Sequence, residues 1–206
     1  MLSSGQDDIE ATPKLEPARR HSIVLARHGH PAVTAREKRA ISGRDIGRWY
    51  RRYDELGIAN ESGPPVALRE LAASAGCVVA SDARRAIESA MRLTAAERIR
   101  VEPALREVGF PDSLGVPLKL SPGAWVMIAR TVQLLDREMD ERLADVRGRA
   151  AVAAERLARL AQDHGSVVAV GHGWFNQFVA MALRRRRWRG PLRPSARYWA
   201  SASYEQ

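Results

Sequence analysis

The sequence predicts an α/β fold in which a mostly parallel sheet lies between two layers of helices. Three short apolar runs, at residues 23–26, 77–80 and 167–170, have the length and composition of strands that are buried on both faces. Between and after them lie segments whose apolar residues recur every three or four positions, as in amphipathic helices. This alternation is typical of a three-layer α/β/α sandwich with a mostly parallel central sheet.

The chain has 206 residues, enough for one sizeable core, and we expect a single domain over residues 21–206. Residues 1–20 are polar and contain two prolines, which predicts a flexible N-terminal tail. A basic C-terminal extension is expected from about residue 184. No stretch resembles a signal peptide or a membrane span, so we predict a cytoplasmic protein without a membrane partner.

A helix is predicted after the first strand and its Gly/Pro turn. We interpret Ser42-Gly43-Arg44-Asp45 as a capping box at its start, and Gly57 as its end. Its apolar stripe is expected to belong to the core rather than to form a ligand platform, and it consists of Ile46, Trp49, Tyr50, Tyr53 and Leu56. A second short helix is predicted over residues 66–75.

The second half of the chain continues the alternation. The second strand is predicted to lead into a helix with two arginines in its first turn, and residues 99–101 are a candidate short strand. Residues 102–123 are predicted to form a long irregular loop, and long loops of this kind are usually functional. Two amphipathic helices, with stripes from Trp125 to Met139 and from Val146 to Leu160, precede the third strand, and another helix follows it.

The formal net charge is +9, and arginine supplies all but three of the basic residues. A GC-rich genome produces the same bias, so the composition does not favour a nucleic-acid partner. A positive field would also attract phosphorylated substrates. We interpret the basic run at residues 184–189 as a solvated helix end in preference to a site for an anionic partner, although Trp188 and Trp199 are candidate stacking surfaces.

Each of the three predicted strands ends in charged or reactive side chains. Arg27-His28-Gly29 follows the first strand, residues 81–85 follow the second, and Gly171-His172-Gly173 follows the third. Ligands of open α/β sheets bind at the carboxyl ends of the strands, so we expect one shared site. The three motifs, in this order, resemble the histidine phosphatase superfamily and its phosphoglycerate mutase-like fold. The resemblance covers residues 22–183, and it is to the branch whose second histidine is followed by glycine.

This resemblance implies a phosphomonoester hydrolase that acts on a phosphorylated small molecule. It assigns His28 as the nucleophile that forms a phosphohistidine, with Arg27 and Arg85 binding the phosphate. Arginine suits that role because its planar guanidinium forms two parallel hydrogen bonds to phosphate. His172 would donate a hydrogen bond to the phosphate and stabilise the charge of the transition state. We also expect the carbonyl of Gly29 to hold the other ring nitrogen of His28.

The same resemblance assigns Glu107 as the general acid, because Leu105-Arg106-Glu107 matches a loop glutamate that follows a leucine in this branch. The alternative is a solvated glutamate paired with Arg106, in which case Asp112 is the nearest replacement acid. Ser81 begins the motif that ends in Arg85-Ala86, and we expect it to cap the helix that follows.

The sequence departs from the family pattern at His30, where glutamate or glutamine is usual, and at Thr34, where asparagine is common. The glycine-rich pattern usual after the catalytic glutamate is also altered, at residues 108–112. Neither the substrate nor the oligomeric state follows from the sequence. No histidine or cysteine spacing indicates a metal site, and no cofactor is expected. Two alternative functions stay open: a phosphoglycerate mutase-type phosphotransferase, and a non-enzymatic module that binds phosphate or nucleic acid through its arginines.

Overall fold

The computed structural model describes residues 21–32, 39–135 and 142–206. The strands are β1 (Ser22–Arg27), β2 (Ile41–Ser42), β3 (Cys77–Ala80), β4 (Ile99–Val101), β5 (Lys119–Leu120), β6 (Ser166–Gly171) and β7 (Ser201–Glu205). The α-helices are α1 (Ile46–Glu55), α2 (Val66–Ser74), α3 (Arg84–Met91), α4 (Pro122–Leu135), α5 (Leu143–His164) and α6 (Phe175–Arg185). Short 3-10 helices at Ala96–Arg98 and Pro103–Leu105 flank β4. The predicted tail, Thr34 and Met139 lie outside the described residues.

The central sheet has five strands in the order β4-β3-β6-β1-β7. The first four are parallel, and β7 runs antiparallel to β1. The predicted mostly parallel sheet is therefore confirmed. The sequence did not reveal β7, because only Tyr204 among its five residues is buried and the strand lacks an apolar run.

Alternate residues of the central strands face opposite helical layers, as the two-residue period of a strand requires. Ile23 and Leu25 of β1 belong to a core cluster shared with α5 and α6. Val24 and Ala26 belong to a second cluster shared with α2 and α3. These two clusters on opposite faces confirm the three-layer α/β/α sandwich and explain why the strands are apolar throughout.

The predicted capping box of α1 is wrong. Its N-cap residue, Asp45, makes no side-chain capping hydrogen bond, and the Oγ atom of Ser42 instead accepts from the backbone N–H of Arg44, 3.2 Å away in the preceding turn. The predicted stop at Gly57 is confirmed, because the last helical residue is Glu55, the C-cap is Leu56 and Gly57 follows the cap directly. The predicted stop of α5 is confirmed, because Gly165 follows it with φ of 79° and its N–H donates to the carbonyl of Ala161.

The basic segment at the end of α6 is exposed from Arg184 to Arg187, which agrees with a solvated helix end. One of its guanidinium groups pairs with Glu155 on α5, where Arg186 and the carboxylate are 3.0 Å apart. The suggestion of stacking surfaces is wrong, because Trp188 and Trp199 are 2% and 6% exposed and belong to the core. None of the helices in the described part of the chain is long and apolar enough to cross a membrane.

Candidate active site

The parallel register of the sheet brings the three predicted motifs together. Strand β6 lies between β3 and β1, so the carboxyl ends of these three strands reach the same edge. Arg27 pairs with Gly171 in the ladder, and the residues that follow them, His28 and His172, lie side by side with ring centroids 5.3 Å apart. The site expected at the strand ends is therefore assembled by strand pairing.

His28 is buried, with 1% of its surface exposed. Its Nδ1 atom lies 2.8 Å from the carbonyl oxygen of Gly29, as expected from the sequence. A carbonyl only accepts hydrogen bonds, so Nδ1 carries the proton and Nε2 keeps its lone pair. Burial, followed by the neighbouring His172, Arg85 and Arg27, lowers the pKa of His28 well below its usual value. The imidazole is therefore neutral at neutral pH, which is the form required of a nucleophile.

His172 is fully buried and both of its ring nitrogens have partners. The guanidinium of Arg85 lies 3.3 Å from Nδ1, and the hydroxyl of Ser81 lies 2.9 Å from Nε2. A guanidinium only donates, so Nδ1 accepts and Nε2–H donates to Ser81. Burial and the adjacent arginines lower the pKa of His172 well below its usual value, which is consistent with this neutral tautomer.

Ser81 does not cap α3, contrary to our expectation. The N-cap residue of that helix is Ala83, and it makes no side-chain capping hydrogen bond. The Ser81 hydroxyl does accept from the N–H of Ala83 at 3.4 Å, but its shorter contact is with His172. Its position directly after β3, next to β6, explains this contact, because the chain has not yet turned into the helix.

Arg85 is the most deeply buried cation of the site, with 1% of its surface exposed. It projects from the first turn of α3, while the neighbouring Arg84 points away and pairs with Glu88. One terminal nitrogen of Arg85 donates to the carboxylate of Asp54 at 2.6 Å. The Nε atom is buried and has no hydrogen-bond partner among the described residues.

Arg27 carries a second buried Nε atom that lacks a partner within the described parts of the chain. Its guanidinium stacks 3.9 Å from the ring centre of Tyr198, and one terminal nitrogen donates to the carbonyl of Ala196. A side chain at position 173 would bring Cβ to 3.1 Å from this Nε, so Gly173 leaves room for the arginine. Buried polar atoms are rarely unpaired, so two such nitrogens near His28 indicate a place for an anionic ligand.

Glu107 lies in the loop after β4 and lines the same cavity as Arg27 and Arg85. Its Oε1 atom accepts from the backbone N–H groups of Val108, at 2.9 Å, and of Phe175, at 3.0 Å. The alternative pairing with Arg106 does not occur, because that arginine forms an ion pair with Asp82. A proton on the carboxyl group of Glu107 would therefore reside on Oε2.

Two other predicted residues are placed less centrally. His30 is exposed at the rim of the cavity, where its ring centre lies 4.5 Å from that of Tyr198. Asp112, the alternative acid, is exposed and forms an ion pair with Arg51. Within residues 21–32, 39–135 and 142–206, no group of three or more histidine, cysteine, aspartate or glutamate side chains is placed to hold a metal ion. Independence from metals stays a prediction.

The sequence model of the histidine phosphatase superfamily, branch 1, matches residues 23–195. The chain belongs to the histidine phosphatase superfamily. The match contains all three strand-end motifs and Glu107, and it stops before Tyr198 and β7. No curated protein matches the chain in sequence.

Solved structures similar to this histidine phosphatase superfamily member share its fold at low sequence identity. The product of an open reading frame from Mycobacterium tuberculosis is 19% identical, with a TM-score of 0.50 over 90% of this chain and 94% of that one. Phosphoserine phosphatase from Entamoeba histolytica is 15% identical, with a TM-score of 0.51 over 80% of each chain. A mycobacterial glucosyl-3-phosphoglycerate phosphatase is 22% identical, with a TM-score of 0.47 over 81% of each chain.

Three residues of this histidine phosphatase site were not identified from the sequence: Asp54, Tyr53 and Tyr198. The ring of Tyr53 lies 4.9 Å from the guanidinium of Arg85, and that of Tyr198 lies 5.5 Å from the ring of His28. Contrary to our expectation, the aromatic residues of α1 are not part of the core, because Trp49, Tyr50 and Tyr53 line the cavity. Their partial exposure on a helix beside the strand ends is not visible in the helical spacing, which looks the same for a core stripe.

Proposed function

We propose that this protein is a phosphomonoester hydrolase that acts through a phosphohistidine on His28. The observation that carries the proposal concerns the buried Nε atoms of Arg27 and Arg85, which lie near a neutral imidazole and have no hydrogen-bond partner in the part of the chain that the structure describes. A phosphate dianion would supply the missing hydrogen-bond acceptors and the compensating negative charge. The substrate class is a phosphorylated small molecule that enters the cavity lined by these arginines and Glu107.

In the first step, the lone pair on Nε2 of His28 attacks phosphorus while the bond from phosphorus to the alcohol oxygen breaks. The departing alkoxide takes the proton from Oε2 of Glu107, so a neutral alcohol leaves. In the second step, Glu107 removes a proton from a water molecule as that water attacks phosphorus. The bond between phosphorus and Nε2 of His28 breaks, inorganic phosphate is released and free His28 is restored. The two arginines neutralise the phosphate oxygens in both steps, so we propose that no metal ion is needed.

His172 changes its hydrogen-bonding partners in this scheme. Binding of a phosphate would draw the guanidinium of Arg85 away from Nδ1, since a dianion is the stronger acceptor. Burial and, after it, the nearby arginines lower the pKa of His172 in the free protein, and the anion would offset the charge of those arginines. The Nδ1 atom of His172 would then take up a proton from solvent, and its N–H would donate a hydrogen bond to a phosphate oxygen. The hydroxyl of Ser81 keeps the ring in place during this change.

The experiment is a rapid quench in alkali of the protein mixed with a labelled phosphomonoester. We expect wild-type protein to carry a phosphate that is stable to alkali and released by acid, and His28→Ala to carry none. His164→Ala is the matched control, because that histidine is exposed on α5. Unchanged turnover in His28→Ala would refute the proposal. Transfer of the label to an added alcohol, without release of inorganic phosphate, would identify a phosphotransferase instead.

A further inference from the structure

The cavity that contains the phosphate-binding arginines is much larger than a phosphate group. It encloses about 1170 Å³, whereas pockets for drug-sized ligands occupy roughly 300–1,000 Å³. Its walls come from α1, α4, α5, α6 and the segment that leads into β7. The part of the substrate that leaves with the alcohol oxygen therefore has a large volume available next to Arg27 and Arg85.

Most of this additional wall is apolar. On one side, the rings of Trp49 and Tyr53 are stacked with their centres 5.4 Å apart. The mouth includes Met127 and Leu192, which are 68% and 55% exposed although both are large and apolar. Exposed apolar side chains that continue into a cavity mark a ligand-binding surface. Further large apolar residues of the lining are Val126, Leu143, Trp174, Phe178 and Met181.

Several polar groups of the wall are already paired within the protein. Arg130 is buried and donates to the carbonyls of Val108, at 3.0 Å, and of Gly109, at 2.9 Å. The side-chain nitrogen of Gln177 donates to the carbonyls of Gly173 and Pro194. Such satisfied groups gain little from the hydroxyl or carboxyl groups of a polar substrate, and a polar substrate would lose its water on entering.

We infer that the substrates are phosphate monoesters of large apolar alcohols, alkyl or aryl, rather than phosphorylated sugars or hydroxy acids. This inference rests on the proposed function, because it concerns the alcohol part of the ester that the same site would cleave. The phosphate binds at Arg27 and Arg85, and the apolar part lies along the α1 and α4 walls toward Met127. Unbranched methionine side chains adapt to chains of different shape.

The test measures kcat/KM for straight-chain alkyl phosphates from methyl to decyl. The leaving alcohols beyond ethyl differ little in basicity, so the change along the series reports on binding rather than on bond cleavage. We expect kcat/KM to rise roughly two- to fourfold with each added methylene until the chain leaves the cavity. Glycerol 3-phosphate, 3-phosphoglycerate and phosphoserine should be poorer substrates than butyl phosphate.

The matched variants are Met127→Gln and Met91→Gln, since Met91 is also exposed, at 53%, but lies on α3 and outside the cavity lining. Met127→Gln should flatten the dependence of kcat/KM on chain length, whereas Met91→Gln should change neither that dependence nor the hydrolysis of methyl phosphate. Alkyl phosphonates, which resist hydrolysis, should show the same dependence in their dissociation constants.

Three outcomes distinguish failure of this inference from failure of the proposed function. Hydrolysis of methyl phosphate with no dependence on chain length would overturn this inference and leave the proposed hydrolase intact. A preference for esters with a second anionic group would overturn it as well. If that preference disappeared in Arg147→Gln or Arg193→Gln, the exposed arginines of the wall would be the determinant. If the protein hydrolysed none of the esters, the proposed function itself would be overturned, whether or not the protein binds the phosphonates.

Discussion

Asp54 accepts a hydrogen bond of 2.6 Å from Arg85, although the side chain of Asp54 is 54% exposed and that of Arg85 is 1% exposed. The same guanidinium reaches Nδ1 of His172 with its other terminal nitrogen. A carboxylate on α1 therefore both orients the buried cation of the site and compensates part of its charge. Any phosphate that binds Arg85 has to share it with Asp54.

Two substitutions of Asp54 should separate orientation from charge. Asp54→Asn keeps an oxygen acceptor but removes the competing negative charge, so inorganic phosphate should inhibit at a severalfold lower concentration. Asp54→Ala also removes the anchor, and kcat should fall on the order of tenfold because Arg85 is misplaced. Inhibition constants and kcat for one ester measure both effects. Asp45→Ala is the control, because its pairing with Arg48 is exposed and 3.8 Å long. Equal inhibition constants and equal kcat values in the two Asp54 variants would show that Asp54 does not have separate effects on the orientation and the charge of Arg85.

Stability should fall in weak acid because two neutral histidines are buried. The pKa of His28 and of His172 is lowered, mainly by burial and also by nearby cations, from an ordinary value of 6.5. Below pH 6.5 the unfolded chain binds protons that the native protein excludes. The two histidines therefore do not lower the free energy of unfolding above pH 6.5. Below pH 6.5 the free energy of unfolding declines, by up to about 1.4 kcal/mol per pH unit for each histidine.

Urea denaturation at a series of pH values between 8 and 4.5 measures this decline. His172→Gln should reduce the slope of the free energy of unfolding against pH, because one of the two buried imidazoles is then absent. His164→Gln should leave it unchanged, since that imidazole is exposed in the native protein. A wild-type protein whose free energy of unfolding is constant from pH 7 to pH 5 would contradict the burial of neutral histidines.

Glu107 should matter in proportion to how strongly the leaving group needs a proton. An alkoxide is strongly basic, whereas nitrophenolate leaves without assistance. Glu107→Gln should therefore slow hydrolysis of alkyl phosphates on the order of 10²-fold or more and affect nitrophenyl phosphate far less. Asp112→Asn is the control, since that carboxylate pairs with Arg51 away from the cavity lining. Equal loss with both ester types would mean that Glu107 only holds the loop against α6.

Gly29 should not tolerate even a methyl group. A Cβ atom there would lie 2.5 Å from the ring of Trp199 and 2.7 Å from Oγ of Ser62. These two side chains are buried, and the indole N–H of Trp199 donates a hydrogen bond of 2.9 Å to Oγ of Ser62, so neither can move freely. Gly29→Ala should lower the free energy of unfolding by about 1–3 kcal/mol and reduce activity through the adjacent His28.

Gly148→Ala provides the opposite case for comparison. Gly148 is exposed within α5, and no atom lies within 4 Å of the position that its Cβ would occupy. Alanine there should raise the free energy of unfolding by about 0.5–1 kcal/mol, because a helix interior favours it over glycine. Equal destabilisation by both substitutions would show that the close packing around Gly29 is not what limits that position.

The fold class and the strand ends could be predicted because their signals are local. An apolar run of four residues that stops at Arg27-His28 or at His172 already specifies a buried strand with polar groups at its carboxyl end. Strand pairing then places those ends together without further information. Glu107 needed the family resemblance, since nothing in its own segment distinguishes it from a solvated loop residue.

The tertiary structure alone decided the partners of these residues. Asp54 reaches Arg85 across 31 positions, and Tyr198 reaches Arg27 across 171, from a segment whose strand β7 carries no apolar pattern. The spacing of Trp49 and Tyr53 specified a helix but not whether that face would meet core or cavity. Local periodicity determines which elements form and which side of each is apolar. What that side meets depends on how distant elements pack, and for this reason the three strand-end motifs could be predicted from the sequence but the cavity around them could not.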